Sequence, residues 1–202
     1  MKHSHATISI LLTGLMFITG QAQAGKPFNT FKGGQKAPPN NYIGASIGSN
    51  DSTALCGNAF TSCKDEDRGW KAYSGVRLND SVVIEGGYIQ FGDLVAYDSN
   101  SIRSTSAVSG YTTAGLATYQ YSDQIELFGK GGMIWWDNEK NTASGKSESD
   151  GTGSFLGIGA NYDMGDNLGV RAEWERFEGI ERFEGETGSM DLLSVGVTMS
   201  SL

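Results

Sequence analysis

Strand-like runs in this chain are joined alternately by short polar turns and by long, charged, Ser/Gly-rich connections. That alternation limits the folds open to the chain more than any single residue does. The short connections are Leu78-Asn79-Asp80-Ser81, Tyr121-Ser122-Asp123-Gln124 and Met164-Gly165-Asp166-Asn167, with the chain start in place of a fourth. The long ones lie near 49–67, 93–106, 137–151 and 178–190. A chain built this way has two unlike ends. A β-barrel crossing a bacterial outer membrane has this asymmetry, with tight turns inside and long loops outside.

The runs between them carry period-two alternation, and no window after residue 24 sustains a 3.6-residue apolar period. Eight strands are predicted, near 42–49, 68–78, 82–92, 107–121, 124–136, 152–163, 167–177 and 191–200. Most match the 9–11 residues that a tilted membrane strand needs. The seventh separates its faces best, with Val170, Ala172 and Trp174 on one side and Arg171, Glu173 and Glu175 on the other. Ile43, Ala45 and Ile47 oppose Gly44, Ser46 and Gly48 in the first strand, and Val82, Ile84 and Tyr88 oppose Val83, Glu85 and Gly87 in the third. Strands four and five are less clean, because Leu116, Phe128 and Ile134 interrupt the polar face.

Residues 1–24 read as a secretory signal: basic Lys2, an apolar core from Ile8 to Ile18, and an A-x-A site at Ala22-Gln23-Ala24. An apolar run of 11 residues is too short for a membrane-spanning helix. Residues 25–41, which hold all three prolines, read as a flexible periplasmic leader, and 42–202 as the barrel. After cleavage the chain carries a net charge of −9, poorly suited to nucleic acid. Both histidines, His3 and His5, lie in the signal, which leaves Ser-His and Cys-His catalysis and histidine metal sites without their key residue. Cys56 and Cys63 are the only cysteines, and in an exported chain such a pair implies a disulfide within the first long loop.

Alternation is shared by soluble, lipocalin-like barrels, whose apolar residues face inward. Here one face carries charge with glycine and serine, and the other is aliphatic with aromatic residues near strand ends. Small side chains on the charged face suggest an interior too narrow for a lipophilic ligand, so the polar face is placed inside. Trp70, Trp135, Trp136 and Trp174 then fall toward the outer end, and Tyr42, Tyr121 and Tyr162 toward the inner end, as two aromatic girdles would.

The stretch Asp67-Arg68-Gly69-Trp70-Lys71-Ala72-Tyr73-Ser74-Gly75-Val76-Arg77-Leu78-Asn79-Asp80, followed by Val83-Ile84-Glu85-Gly86-Gly87-Tyr88, resembles the outer-membrane protein A-like transmembrane β-barrel family. So do Gly129-Lys130-Gly131-Gly132-Met133-Ile134-Trp135, Gly169-Val170-Arg171-Ala172-Glu173-Trp174 and Leu192-Leu193-Ser194-Val195-Gly196-Val197. The resemblance spans about 42–200. It implies an all-β, eight-stranded antiparallel up-and-down barrel, monomeric and integral to the cell outer membrane, in contact with its lipid. It also implies an interior ion-pair network, with Glu85, Arg171 and Glu173 as matching candidates and Arg77, Lys130 and Glu175 beside them. Two features depart from the family pattern: no peptidoglycan-binding domain is seen after the barrel, and the chain ends on Leu202 where an aromatic ending is usual.

Three functional readings follow. The first is a non-enzymatic barrel with a structural or envelope-integrity role, or a surface-interaction role in which its extracellular loops contact an unidentified ligand. The second is a small, porin-like ion pore, although eight strands close around side chains rather than an open channel. The third is an outer-membrane enzyme, for which only carboxylate chemistry at Glu173 and Glu175 is open. The first is preferred, with no catalytic, cofactor or metal site expected. Gly129-Lys130-Gly131-Gly132 lacks the strand-to-helix setting of a phosphate loop. The charge run Lys64-Asp65-Glu66-Asp67-Arg68 reads as a solvated surface. The repeated Arg176-Phe177-Glu178-Gly179 and Arg182-Phe183-Glu184-Gly185 reads as a hairpin extension with both phenylalanines on one face.

Overall fold

The computed structural model describes residues 41–51, 62–65, 68–97, 103–142, 145–181 and 187–200. They form β1 (Asn41–Asp51), β2 (Ser62–Asp65), β3 (Gly69–Asn79), β4 (Val82–Gln90), β5 (Leu94–Tyr97), β6 (Arg103–Gln120), β7 (Ile125–Thr142), β8 (Gly145–Gly165), β9 (Leu168–Glu181) and β10 (Thr187–Ser200). Eight of them close a ring in the order β1, β3, β4, β6, β7, β8, β9, β10, with every neighbouring pair antiparallel. Closure through β1 and β10 leaves no free edge around the middle of the ring, where neighbouring strands satisfy each other's backbone groups. β2 pairs with β5, and β5 with β6, which prolongs the β3–β4 hairpin beyond the ring at the loop end.

The turns are built by residues suited to them. Asp166 and Asn167 take positive φ angles of 52° and 65° between the paired Gly165 and Leu168, a two-residue hairpin turn whose twist matches the strands. The Asn79 side-chain oxygen accepts a hydrogen bond from the Ser81 amide at 2.9 Å, closing the β3–β4 turn.

Burial alternates along the strands as period two requires. Ile43, Ile47, Val82, Ile84, Leu156, Ile158, Val195, Val197 and Met199 are exposed on the outer surface. Ser46, Lys71, Glu85, Lys130, Arg171, Glu173, Glu175 and Ser194 are buried inside. A soluble barrel has the opposite arrangement, and so continuous an exposed apolar belt marks a surface made for lipid.

The structure corrects several expectations. The long connections are shorter than expected because strand pairing continues into them: β7 and β8 remain in register out to Thr142 and Gly145. The interior is not uniformly polar. Ile89, Phe91, Ile134, Phe155, Phe177, Met190 and Leu192 fill its loop end with an apolar layer, which accounts for Ile134 on the polar face; Leu116 and Phe128 are buried inside nearer the turn end, Phe128 against the Arg171 guanidinium. Trp136 lies inside this layer rather than in a girdle, and its indole N–H donates to the Gly179 carbonyl at 3.0 Å. Adjacent Trp135 and Trp136 must face opposite sides of a strand, so only Trp135 is outward. Tyr42 also points inward. Residues 1–40, Cys56 and the second copy of the Arg-Phe-Glu-Gly repeat at 182–185 lie outside the described residues, as do Glu66 and Asp67.

Candidate functional site

Sequence spacing on β9 gathers one column of charge. Arg171, Glu173 and Glu175 occupy alternate positions, so all three project inward while Val170, Ala172 and Trp174 project outward. Lys130 enters from β7 within a glycine-rich stretch, directly opposite Gly157 of β8. A Cβ atom on Gly157 would stand 3.0 Å from Glu175 Cγ and 3.2 Å from Lys130 Cε, so the missing side chain is what admits the charged ones. Glu85 enters from β4 and Lys71 from β3.

These side chains form one network at mid-barrel. Lys130 Nζ lies 2.6 Å from Glu175 Oε1, 2.7 Å from Glu173 Oε2 and 3.5 Å from Glu85 Oε1. Arg171 Nη1 lies 2.7 Å from Glu85 Oε2, and its Nη2 lies 3.3 Å from Glu173 Oε2. Lys71 contacts both Glu173 and Glu175. Three cations thus face three carboxylates, and the balance matters because an unpaired charge in so dry a place costs several kcal/mol.

Aromatic rings complete the packing around Arg171, which is fully buried. Its guanidinium carbon lies 4.2 Å from the Phe128 ring centre and 4.6 Å from that of Tyr73, in cation–π contact. The Tyr42 hydroxyl donates to Glu85 Oε2 at 2.6 Å. The ring of Tyr42 fills the space left by Gly75, and that of Tyr73 the space left by Gly44.

Of the six charged residues singled out from the sequence, five meet here: Glu85, Lys130, Arg171, Glu173 and Glu175. Arg77 does not. It sits nearer the turn end, pairing with Glu126 Oε2 at 2.6 Å and donating to Thr118 Oγ1 at 3.0 Å. Lys71 joins the network beyond the six expected residues, and alternation along β3 puts it on the same face as Tyr73 and Arg77. Tyr42, expected in the inner-end girdle, instead turns into the barrel, because Ile43 beside it takes the outer face.

Chemically, the network's carboxylates are all taken up in ion pairs, while the buried Arg171 Nε has no hydrogen-bond partner among the described residues. Each network carboxylate is engaged by at least two cations. Among the described residues no group of His, Cys, Asp and Glu is placed to hold a metal ion. Above the network, Phe177 contacts Phe91 edge-on at 5.0 Å and stacks on Phe155 at 4.9 Å between ring centres. The network therefore ties β3, β4, β7 and β9 together around a filled interior.

Comparison with known proteins agrees with this geometry. Residues 10–200 match the family described as the outer membrane protein beta-barrel domain. Outer membrane protein A of Escherichia coli O157:H7 is 25% identical over 201 residues, covering 98% of this chain and 54% of that protein. The chain thus spans about half the length of the curated relative it matches. In fold it is similar to Neisserial surface protein A, with a TM-score of 0.59, 11% identity, and coverage of 80% of this chain and 97% of that one. It is also similar to Ail, the attachment invasion locus protein of Yersinia pestis, with a TM-score of 0.50, 12% identity, and coverage of 79% and 95%. An eight-stranded ring with a charged interior, an apolar exterior and this match along nearly its whole length places the chain in the outer membrane, as a member of the outer membrane protein beta-barrel family.

Proposed function

We propose that the protein is a closed, non-enzymatic barrel, exported by the signal at residues 1–24, with its loop end facing the cell exterior. Its role is structural or one of surface contact through the extracellular loops. One observation carries this reading: the interior is filled in two successive layers, the balanced ion pairs and then the apolar plug of Phe91, Phe155 and Phe177. An ion crossing the barrel would have to displace both. An enzyme would need a free base, and Glu173 and Glu175 are committed to Lys71 and Lys130.

Single-channel recording in planar bilayers tests the closed barrel. The expected trace stays at the membrane baseline, and steady ohmic steps from the folded protein would establish the pore reading instead. The same proposal includes a bridge between Cys56 and Cys63, with a chain-entropy contribution of about 2.5 kcal/mol for so short a loop. Thiol alkylation of freshly isolated protein should gain two labels on reduction, one for each cysteine. Labelling before reduction would remove the bridge from the account.

A further inference from the structure

At the loop end the ring opens, and it opens at a defined place. Among the described residues β8 and β9 are paired only as far as Ser154 and Glu178, whereas β8 runs back to Gly145 paired with β7 alone. The strand that should continue the ladder has been drawn away. Gly179 adopts a φ of +79°, a conformation that favours glycine, and is the extra residue of a bulge in β9 opposite Gly188 and Ser189 of β10. Beyond that bend, β9 is held by inward side chains of β7. Trp136 donates to the Gly179 carbonyl at 3.0 Å, Asn138 Nδ2 donates to the Glu181 carbonyl at 2.7 Å, and Lys140 Nζ lies 2.5 Å from Glu181 Oε1. Ile180 is fully buried beneath. The opening is therefore built into the fold by three tethers and a glycine bend.

The ladder shows which backbone groups are left over. The Asp163 amide donates to the Gln124 carbonyl in the same register that pairs β7 with β8, so odd-numbered β8 residues bond to β7. Even-numbered residues direct their N–H and C=O groups the other way. From Lys146 to Asp150 no backbone partner lies on that side among the described residues. Side chains of the same even-numbered residues stand on the outer face. There Asp150 is directly opposite Asp137, and Glu148 directly opposite Glu139, with Lys146 opposite Asn141 one rung further out. Like charges facing each other across two strands are unfavourable, and these four carboxylates are exposed.

We propose that this open edge of β8 is a docking strand for an extended, basic segment of another protein, added as a further antiparallel or parallel strand beside Lys146–Asp150. Backbone bonds supply the affinity in such strand addition, and alternate side chains supply the choice of partner. Lysine or arginine at every second position of the incoming segment would fall beside Glu148 and Asp150, while small residues between them would meet Ser147 and Ser149. The carboxylates disfavour a second copy of this chain, since its own acidic edge would be brought against them. This inference deepens the surface-contact reading above and rests on it.

The folded full-length protein in nonionic detergent micelles provides the test, with fluorescence anisotropy of short labelled peptides as readout. One peptide alternates threonine and lysine, and its isomer has the same residues with the lysines contiguous. The alternating peptide is expected to bind about tenfold more tightly or better, a difference of about 1.4 kcal/mol. Asp150→Pro removes an amide from the open edge without touching the β7 ladder, a substitution that edge strands tolerate. It should reduce the alternating peptide to the level of its isomer, while heat-modifiable gel mobility reports that the barrel is intact. The pair Glu148→Lys and Asp150→Lys should shift preference to a peptide alternating threonine and glutamate. Equal binding of the two isomers, binding by neither, or an Asp150→Pro variant that binds unchanged would each overturn the docking strand. So would self-association of the barrel that Asp150→Pro abolishes. Binding is read in micelles and pore closure as conductance, so this proposal and the closed-barrel reading fail separately.

Discussion

Replacing Arg171 by leucine is expected to cost the folded barrel about 3–5 kcal/mol, because the loss leaves buried carboxylates facing an apolar side chain. Glu85 and Glu173 both depend on this guanidinium, at 2.7 and 3.3 Å. Arg171→Leu alone does not separate lost charge from lost packing on Phe128 and Tyr73. The double variant with Glu85→Gln does, since removing the orphaned charge should restore about 0.5–3 kcal/mol relative to additivity. Lys130→Met combined with Glu85→Gln should couple in the same direction, and less strongly, given a separation of 3.5 Å. Arg77→Met shares no partner with Glu85, because Arg77 is paired with Glu126, and is expected to add to Glu85→Gln without coupling. Urea unfolding with lipid vesicles gives each free energy. Strict additivity for all three pairs would mean that the network contributes nothing as a unit.

The outer face should respond as strongly and in a different way. Ile84 stands next to Glu85 on β4, but it is 51% exposed and lies between Val76 of β3 and Gly115 of β6. Ile84→Arg should destabilise the barrel by about 2–4 kcal/mol, the cost of a cation on the lipid face near mid-membrane. No neutralisation of Arg77, Lys130 or Arg171 should rescue it, since the new charge points away from all three. The same unfolding assay decides. A neutral Ile84→Arg would mean that the two faces had been exchanged.

Much of this architecture is written locally. Period-two patterning assigns Ile84 and Glu85 to opposite faces wherever the strand lies, because consecutive side chains of an extended backbone must diverge. The same rule, applied strictly, places Lys71 inside with Arg77, Trp136 opposite Trp135, and Tyr42 opposite Ile43. The expectation of aromatic girdles placed Trp136 and Tyr42 against this rule and no expectation covered Lys71, although the alternation carries the signal for all three. Strand length was a different matter. The polar run at 137–151 has the composition of a loop, yet β7 and β8 stay paired through it. Backbone hydrogen bonds extend a hairpin whatever its side chains, provided the register below is fixed.

The sequence by itself determined the number of crossings, the position of each tight turn and the inward or outward sense of most side chains. Each of these depends on residues within a few positions of one another. Only the tertiary structure decided which charges meet. Lys130 reaches Glu173 and Glu175 from two strands away, and Glu85 reaches Arg171 across the interior. Such partners are set by ring closure and by the stagger between strands, which no local pattern encodes. The bend at Gly179 belongs to the same class. Its glycine was visible in the chain, but the carbonyls it turns toward Trp136 and Asn138 find donors only once β7 and β9 occupy the same barrel.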